Sequence, residues 1–229
     1  MGSWGKLLLL CLFVSNTGSV WAAVVCNAGF AGENSAQILM RLPQALADCG
    51  APTEVVIFVG MNDAVNEKRF LTPLQTAEAV QQMLQVIGAA HAKALVVTVH
   101  APDEVRLMQR HSPGAFGGLT PAERIDATNR ALRKAAQRGG ADIVDFHAAL
   151  ALAGGASTSQ STDGVHLTQT GYRLLAKTVA AALPREVSGR VLCLGDSLTF
   201  GTGVRAAGEP DAGSESYPQQ LKAILNGAL

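Results

Sequence analysis

The sequence has no excess of either charge and carries few charged side chains. Its 229 residues include 18 lysines and arginines against 18 aspartates and glutamates, and 16% of all residues are charged whereas 48% are hydrophobic. A nucleic-acid-binding domain typically shows a basic patch, and a disordered chain has fewer apolar residues, so neither class is indicated. The length instead favours one folded domain with a full hydrophobic core.

The sequence also lacks an apolar run long enough to span a bilayer, which takes about 20 residues as a helix. Its N-terminal apolar run covers only residues 7–14, follows Lys6 and precedes Val20-Trp21-Ala22. This pattern is typical of a secretory signal peptide. We therefore expect a signal peptide at residues 1–22, an exported protein located in the periplasm or secreted, and one mature domain at residues 23–229. A buried N-terminal strand or helix is the alternative, and nothing indicates the oligomeric state.

Cysteine is scarce, with four residues in the chain. If Cys11 is removed with the signal peptide, Cys26, Cys49 and Cys193 remain, an odd number without the spacing of a metal site. No disulfide framework is therefore predicted. Cys26 and Cys193 lie in apolar runs and are expected to behave as small core residues.

Short apolar runs alternate with segments of helical spacing along the chain. Runs typical of buried parallel strands, the last one weaker, cover residues 23–27, 54–60, 94–100, 191–195 and 141–146. Helical spacing covers residues 36–47, 76–90, 122–138, 168–183 and 217–225. The alternation predicts an α/β fold with a doubly wound parallel sheet, whose reactive groups lie at the carboxyl ends of the strands. Residues 101–121 lack clear periodicity and are interpreted as a lid or substrate loop.

A candidate nucleophile follows the strand predicted at residues 191–195, in the turn Gly195-Asp196-Ser197-Leu198-Thr199. A serine hydroxyl is a weak nucleophile until a base takes its proton, and the base needs a partner that orients it. Asp163-Gly164-Val165-His166 offers both groups within one turn. We predict Ser197, His166 and Asp163 as a catalytic triad. The alternative is an ordinary loop aspartate and a histidine that precedes a helix.

Acyl transfer also needs hydrogen-bond donors directed at the developing oxyanion. The backbone N–H of Gly32, in the glycine-rich turn at residues 27–35, and the amide of Asn62, after the strand at residues 54–60, are candidates. Taken singly, Gly32 is equally typical of a plain turn and Asn62 of a turn or helix cap. Among the remaining histidines, His100 and His111 have positions from which they could line the same pocket.

These four segments together resemble the sequence blocks of the SGNH or GDSL hydrolases. The first block is similar to residues 195–198, the second to residues 27–32, the third to residues 60–63 and the fifth to residues 163–166. The resemblance implies a three-layer α/β/α, flavodoxin-like parallel sheet. It further implies Ser197 as nucleophile with Asp163 and His166, and oxyanion donors from Ser197, Gly32 and Asn62.

The same resemblance implies a serine esterase that acts on small-molecule or lipid esters or thioesters, as thioesterases, lysophospholipases and arylesterases do. No cofactor or metal is expected. The order of the blocks departs from the family, because here the nucleophile block comes last. We therefore predict a circular permutation in which the helix at residues 168–183 recrosses the sheet and leads into the nucleophile strand, with both chain ends on the face away from catalysis. A mis-assembled gene fragment is the competing explanation.

Other functions fit the sequence less well. An ordinary α/β-hydrolase needs Gly-x-Ser-x-Gly, and Thr199 stands in place of the second glycine. Residues 201–206 fit a Gly-x-Gly-x-x-Ala nucleotide-binding pattern, but they do not lie directly at a strand-to-helix turn. A catalytically silent binding module with the same fold and an O-acetyl carbohydrate esterase remain as alternatives.

Overall fold

The computed structural model describes residues 22–112, 114–185, 187 and 189–228. The predicted signal peptide therefore lies, apart from Ala22, outside the described residues. Five strands form one parallel sheet, and they are β1 (Val24–Gly29), β2 (Glu54–Phe58), β3 (Lys93–Val97), β4 (Asp142–Val144) and β5 (Arg190–Gly195).

The described residues also form five longer helices and four short ones. The longer helices are α1 (Ser35–Cys49), α3 (Pro73–Ala89), α5 (Pro121–Gly139), α7 (Gln169–Ala182) and α9 (Tyr217–Leu225). The short helices are α2 (Met61–Val65), α4 (Glu104–Met108), α6 (Phe146–Leu152) and α8 (Ser197–Phe200). The predicted strands and long helices are thus confirmed, with small shifts at their ends.

Capping residues explain why three of the long helices begin earlier than their apolar spacing indicates. Asn34, Thr72 and Thr120 each accept a hydrogen bond from the backbone N–H three residues later, and the side chain at that position pairs in turn with the backbone N–H of the cap. This reciprocal arrangement satisfies two of the free N–H groups at the helix start. It also fixes where α1, α3 and α5 leave the carboxyl-end edge of the sheet.

The strand order in the sheet is β1-β5-β2-β3-β4, so the last strand of the chain lies between the first two. Cys193 of β5 is in register with Asn27 of β1 on one side and with Val56 of β2 on the other. Counted from β5, the order becomes 2-1-3-4-5, which is the flavodoxin-like order of doubly wound sheets. The predicted fold class is confirmed.

Helices cover both faces of the sheet. α1, α3 and α5 pack side by side in one layer, and α7 packs against α9 in the other. On this second face Phe58 of β2 makes edge-to-face contacts with Phe146 and Tyr217, whose ring centroids lie 6.0 and 6.3 Å from its own. The molecule therefore has three layers, as the resemblance implied. Within the described part of the chain, no helix has the length and apolar character needed to cross a membrane.

The two ends of the described domain meet at the start of the sheet. The backbone N–H of Ala23 donates to Oδ1 of Asn226 at 2.8 Å, and Nδ2 of Asn226 donates to the carbonyl of Ala23 at 3.2 Å. The beginning of β1 and the residue after α9 are thus neighbours. Both lie at the edge of the sheet opposite to Ser197, which follows the other end of β5.

A disulfide joins Cys26 of β1 to Cys49, the last residue of α1, with the two Cα atoms 5.8 Å apart. The sequence predicted no disulfide framework and a free Cys26 in the core. Both expectations are wrong, because Cys26 is half-buried and bonded to Cys49. An odd number of cysteines excluded nothing, because Cys193 remains free among the three described cysteines, and it is buried in β5 as predicted. The bond ties the partly exposed edge strand β1 to the helix that returns along it.

We expect Cys26→Ala/Cys49→Ala to lower the free energy of unfolding by about 3 kcal/mol, because the disulfide closes a loop whose ends are 23 residues apart. Urea unfolding at neutral pH measures this. Reductant should lower the stability of the wild type to the same level and leave the double variant unchanged. An equal urea midpoint for oxidised and fully reduced wild type would show that the bond contributes nothing.

Candidate active site

The sequence-predicted site residues gather at the carboxyl-end edge of the sheet. Ser197 begins α8 directly after β5, Asn62 lies in α2 after β2, and the turn with Asp163 and His166 precedes α7. A cavity of about 420 Å³ opens there, and its lining includes Asn62, His166 and Ser197. Its position agrees with the rule that ligands of such sheets bind outside the carboxyl ends of the strands.

Ser197, His166 and Asp163 form a continuous hydrogen-bonded row. Oγ of Ser197 lies 3.0 Å from Nε2 of His166, and Nδ1 of His166 lies 2.8 Å from Oδ2 of Asp163. The other carboxylate oxygen of Asp163 accepts the backbone N–H groups of Val165 and His166 at 2.9 and 2.8 Å. The structure thus brings together the three predicted triad residues, although α7 and β5 separate the nucleophile from the other two along the chain.

The charge state of Asp163 sets the direction of these hydrogen bonds. Partial burial opposes ionisation of its carboxyl group, but the hydrogen bond and positive charge of His166 and the two backbone N–H groups outweigh it and lower the pKa of Asp163. A carboxylate only accepts, so Nδ1 of His166 carries a proton in this bond. In the neutral ring Nε2 is then the acceptor that faces the hydroxyl of Ser197.

The turn that carries Asp163 and His166 depends on a glycine between them. Gly164 has a φ of +92°, and a Cβ there would lie 2.9 Å from the carbonyl oxygen of Asp103. Ser161 closes the turn, because its Oγ donates to the carbonyl of His166 at 2.8 Å and accepts the N–H of Gly164 at 2.9 Å. The Asp-x-x-His spacing therefore reflects a closed turn rather than the start of the following helix.

Asp196, the residue before Ser197, is almost completely buried, with 1% of its surface exposed. Its Oδ1 accepts the N–H of Leu198 at 2.9 Å, and its Oδ2 accepts Nδ2 of Asn62 at 3.1 Å. Burial raises the pKa of Asp196 to about 7, against the weaker effects of the Leu198 N–H, the nearby His166 and the Asn62 amide. One carboxyl group thus connects the nucleophile turn with Asn62.

The amide of Asn62 is fully engaged inside the site. Besides the bond to Asp196, its Nδ2 donates to the carbonyl of Glu33 at 2.9 Å, and its Oδ1 accepts Nδ2 of Asn66 at 2.9 Å. Glu33 belongs to the turn between β1 and α1, so Asn62 ties this turn to the nucleophile turn. The sequence indicated Asn62 but not these partners.

Gly32 precedes Glu33 in that turn and has a φ of +81°, which favours glycine. The space around its Cα is open, because no atom lies within 4 Å of the place a Cβ would take. Among the described residues, Gly32 forms no hydrogen bond to Ser197, His166 or Asn62. Gly32 is therefore close to the site because the next residue, Glu33, is hydrogen-bonded to Asn62. Its backbone is accessible and forms no hydrogen bond to the triad.

Two basic residues outside the predicted triad also contact the turn at residues 163–166, which we call the triad turn. His100, after the end of β3, is fully buried, and its Nε2 lies 2.9 Å from the carbonyl of Val165. Burial lowers the pKa of His100 to about 4, so it is neutral near pH 7. Arg110 lines the cavity and donates to the carbonyl of Asp163 at 2.9 Å. These two contacts have no sequence signal, because they join positions that only the fold brings near.

The remaining walls of the cavity come from two segments. Residues 61–68 provide one wall, and residues 107–111, inside the predicted lid or substrate loop, provide the other. His111 lines the cavity as the sequence allowed, with its Nδ1 3.6 Å from Oε2 of Glu67, whereas His100 lies behind the triad turn. Segment 101–121 contains α4, which is too short for its spacing to be recognised in the sequence.

In the described part of the chain, no three His, Cys, Asp or Glu side chains are grouped so that they could hold a metal ion.

Comparison with known proteins gives matches in both sequence and structure. Thioesterase 1/protease 1/lysophospholipase L1 of Escherichia coli (strain K12) is 37% identical to this chain over 78 residues, which are 34% of this chain and 36% of that protein. The chain thus aligns with little more than a third of the length of this relative.

Solved structures share the fold over a larger part of the chain. The lipase/acylhydrolase from Enterococcus faecalis has 25% sequence identity and a TM-score of 0.53, and the alignment covers 65% of this chain and 69% of that one. The acetyl xylan esterase AlAXEase has 21% identity and a TM-score of 0.56, with 69% of this chain and 79% of the other covered.

A family model extends over most of the sequence. The model described as the GDSL-like Lipase/Acylhydrolase family matches residues 14–174, a stretch that includes Gly32, Asn62, Asp163 and His166 and ends before Ser197. Because this match covers more than half of the chain, the protein belongs to the GDSL-like lipase/acylhydrolase family.

Proposed function

We propose that this protein is a serine esterase that hydrolyses carboxylic esters or thioesters through an acyl-enzyme on Ser197. The observation that carries the proposal is the row Ser197–His166–Asp163, with contacts of 3.0 and 2.8 Å at the opening of a cavity. A hydroxyl, a base and an orienting carboxylate in this geometry have the arrangement of an activated nucleophile.

The reaction uses His166 twice. As Oγ of Ser197 attacks the carbonyl carbon, Nε2 of His166 takes the hydroxyl proton and then delivers it to the departing alkoxide or thiolate. Water next attacks the acyl-enzyme, gives a proton to the same nitrogen, and releases the acid as Ser197 recovers its proton. Asp163 stays ionised and stabilises the imidazolium, in agreement with its lowered pKa. No cofactor takes part in these steps.

The oxyanion of the tetrahedral intermediate would be held by the N–H groups of Ser197 and Gly32 and the amide of Asn62. Asn62 is supported in this role by its hydrogen bond to Asp196, which fixes the amide beside the nucleophile turn. The Asn62 amide also donates to the carbonyl of Glu33, so binding an oxyanion requires it to share or release that bond. The open, left-handed turn at Gly32 leaves its backbone free to approach.

The cavity lining favours a substrate with an apolar acyl part and a polar leaving part. Leu107, Val65 and Val165 offer apolar surface, whereas the polar residues Asn66 and Lys68 lie on the same cavity. The polar side chains support an O-acetyl carbohydrate esterase as the second candidate, because a sugar can hydrogen-bond to them. A catalytically silent binding module would bind such esters without turnover.

The disulfide supports export of this protein. Bonds such as Cys26–Cys49 persist in the periplasm or outside the cell, whereas cytosolic thiols are kept reduced. Together with the signal-peptide pattern at residues 1–22, it favours a periplasmic or secreted enzyme with its mature domain at residues 23–229.

The strand order supports a circular permutation of the family fold. The nucleophile strand is the last in sequence but lies between the first two strands in the sheet. The contact between Ala23 and Asn226 means that a short linker could join the present ends without moving either element. Closeness of the termini is the condition under which permutation is tolerated.

We expect the purified protein to hydrolyse p-nitrophenyl acetate or butyrate, and Ser197→Ala to lower kcat about 10⁴-fold or more. Labelling of Ser197 by a fluorophosphonate should disappear in the same variant, while Ser214→Ala, outside the cavity, should keep both properties. The pH profile of activity should have an acid limb, because a protonated base cannot accept the Ser197 proton. A wild type that binds esters but neither turns over nor labels would favour the binding module.

A chain-length series from acetate to octanoate, with acetylated xylo-oligosaccharide in parallel, separates the two substrate classes. A fluorophosphonate-reactive enzyme that prefers the sugar ester supports the second candidate. Preference for butyrate or longer chains over acetate supports the acyl-ester candidate.

A rearranged chain tests the permutation. It begins at residue 189, joins residue 228 to residue 22 through a short Gly/Ser linker, and ends at residue 185. In this chain the nucleophile block comes first, as is usual in the family. We expect it to fold with the same circular dichroism spectrum and with kcat within about threefold of the wild type, because no contact of the sheet is cut. An insoluble or inactive product, with the unmodified chain active beside it, would count against the permutation.

The raised pKa of Asp196 predicts a pH-dependent stability. Because its pKa is about 7 in the folded protein and about 3.9 in an unfolded chain, the unfolded state releases the proton first as the pH rises through this window. The contribution of this group to stability is thus lost between about pH 4 and 7. Asp196→Asn removes this slope, up to about 1.4 kcal/mol per pH unit, although its amide would face that of Asn62 at a constant cost.

Urea unfolding of both proteins from pH 4.5 to 7.5 measures the difference. The free energy of unfolding of the variant should rise relative to that of the wild type at each step up to about pH 7. Parallel curves would mean that Asp196 has no raised pKa.

A further inference from the structure

The segment from Asp103 to Arg110 lies directly against the turn that carries the predicted acid and base. The backbone N–H of Asp103 donates to the carbonyl of Gly164 at 2.9 Å. Arg106 binds the carboxylate of Asp103 at 2.9 Å, and its other nitrogens donate to the carbonyls of Ala156 and, at 2.9 Å, Ser161. The segment is therefore held against residues 156–164 by hydrogen bonds to their backbone carbonyls. An open lid would not make such contacts.

Arg110, four residues after Arg106, is the member of this segment that touches a triad residue. Its Nη1 donates to the carbonyl of Asp163 at 2.9 Å, and its Nη2 lies 3.4 Å from Oδ2 of the same residue. That oxygen also accepts Nδ1 of His166 at 2.8 Å. The guanidinium and the imidazole thus share one carboxylate oxygen.

We propose that Arg110 is a positioning residue for the esterase reaction: it fixes Asp163 by its two contacts, and its positive charge disfavours protonation of His166. This inference rests on the proposed function. It makes residues 103–110 a support of the triad as well as part of a wall of the cavity. Arg110 is 41% exposed, so the pair adds little to stability, since exposed ion pairs contribute little.

Other charged and titratable groups also face the Asp163–His166 pair or line the cavity beside it. They come from the loop after β3, the nucleophile turn, the segment after α2, the α4 segment and α7, and they are His100, Asp103, Asp196, Glu67, Lys68, Arg106, His111 and Tyr172. All of these residues are the same in the wild type and in a variant that changes only Arg110. The difference between two pH profiles therefore isolates the charge of Arg110.

The test compares Arg110→Gln and Arg110→Lys with the wild type. Arg133→Gln is the matched control, because Arg133 is 44% exposed and forms a similar pair with Asp145 at 2.7 Å away from the cavity. kcat and KM for p-nitrophenyl butyrate are measured from pH 5 to 9, with thermal melting as a check of folding.

Arg110→Gln should lower kcat about tenfold with KM within about twofold, because misplacing a catalytic group acts on the transition state. Its acid limb should move to higher pH by about half a unit, the effect of one charge about 6 Å away in a water-like medium. Arg110→Lys should restore the acid limb but only part of kcat, because an ammonium group cannot reproduce the fork of the guanidinium. Arg133→Gln should match the wild type.

An NMR titration of His166 in the Ser197→Ala background gives a second readout that does not need turnover. Its midpoint should rise by about half a pH unit when Arg110→Gln is added. An unchanged kcat and acid limb, or an unchanged midpoint, would overturn the inference. Failure of the proposed function looks different, because the wild type itself would then neither turn over nor react with fluorophosphonate. If Arg110→Gln does not fold, the inference is tested with Arg110→Lys alone, through its kcat, its acid limb and its His166 titration.

Discussion

The architecture depends on one constraint: β5, the last strand of the chain, must lie between β1 and β2. These two strands are not neighbours in the sheet, and both pair with β5 along most of their length. The residues of β5 after Arg190 are buried, so this strand lies inside the core. The same strand ends at Gly195, and its position therefore sets where Ser197 lies relative to every other site residue.

The site is assembled from the ends of elements that are distant in sequence, and carboxyl groups join them. Asp163 binds two backbone N–H groups, an imidazole and a guanidinium. Asp196 connects the nucleophile turn with Asn62, and through Asn62 with Glu33. The two carboxyl groups have opposite environments, since the pKa of Asp163 is lowered by its donors and that of Asp196 is raised by burial. Such separation of two acids in one site is typical of functional centres.

The sequence predicted the five strands, the five long helices and the two segments that hold the triad residues because each has a local signal. Buried parallel strands are continuous apolar runs, and several of the site residues stand directly after them. The four short helices were missed because elements of 4 to 7 residues hold too few turns for a period. The disulfide was missed because pairing depends on the distance between Cys26 and Cys49 in the fold. The contacts of Arg110 and His100 are long-range and leave no pattern in the chain.

The position of β5 has a further consequence for folding. β1 and β2 come first in the chain, but their common partner follows only after β3, β4 and most of the helices. Until β5 pairs with it, β1 has no neighbouring strand in the described sheet. Cys26 and Cys49 both precede β2 in the chain, so their bond can hold β1 against α1 before β5 arrives. The disulfide thus connects to α1 the strand whose pairing partner is most distant in the chain.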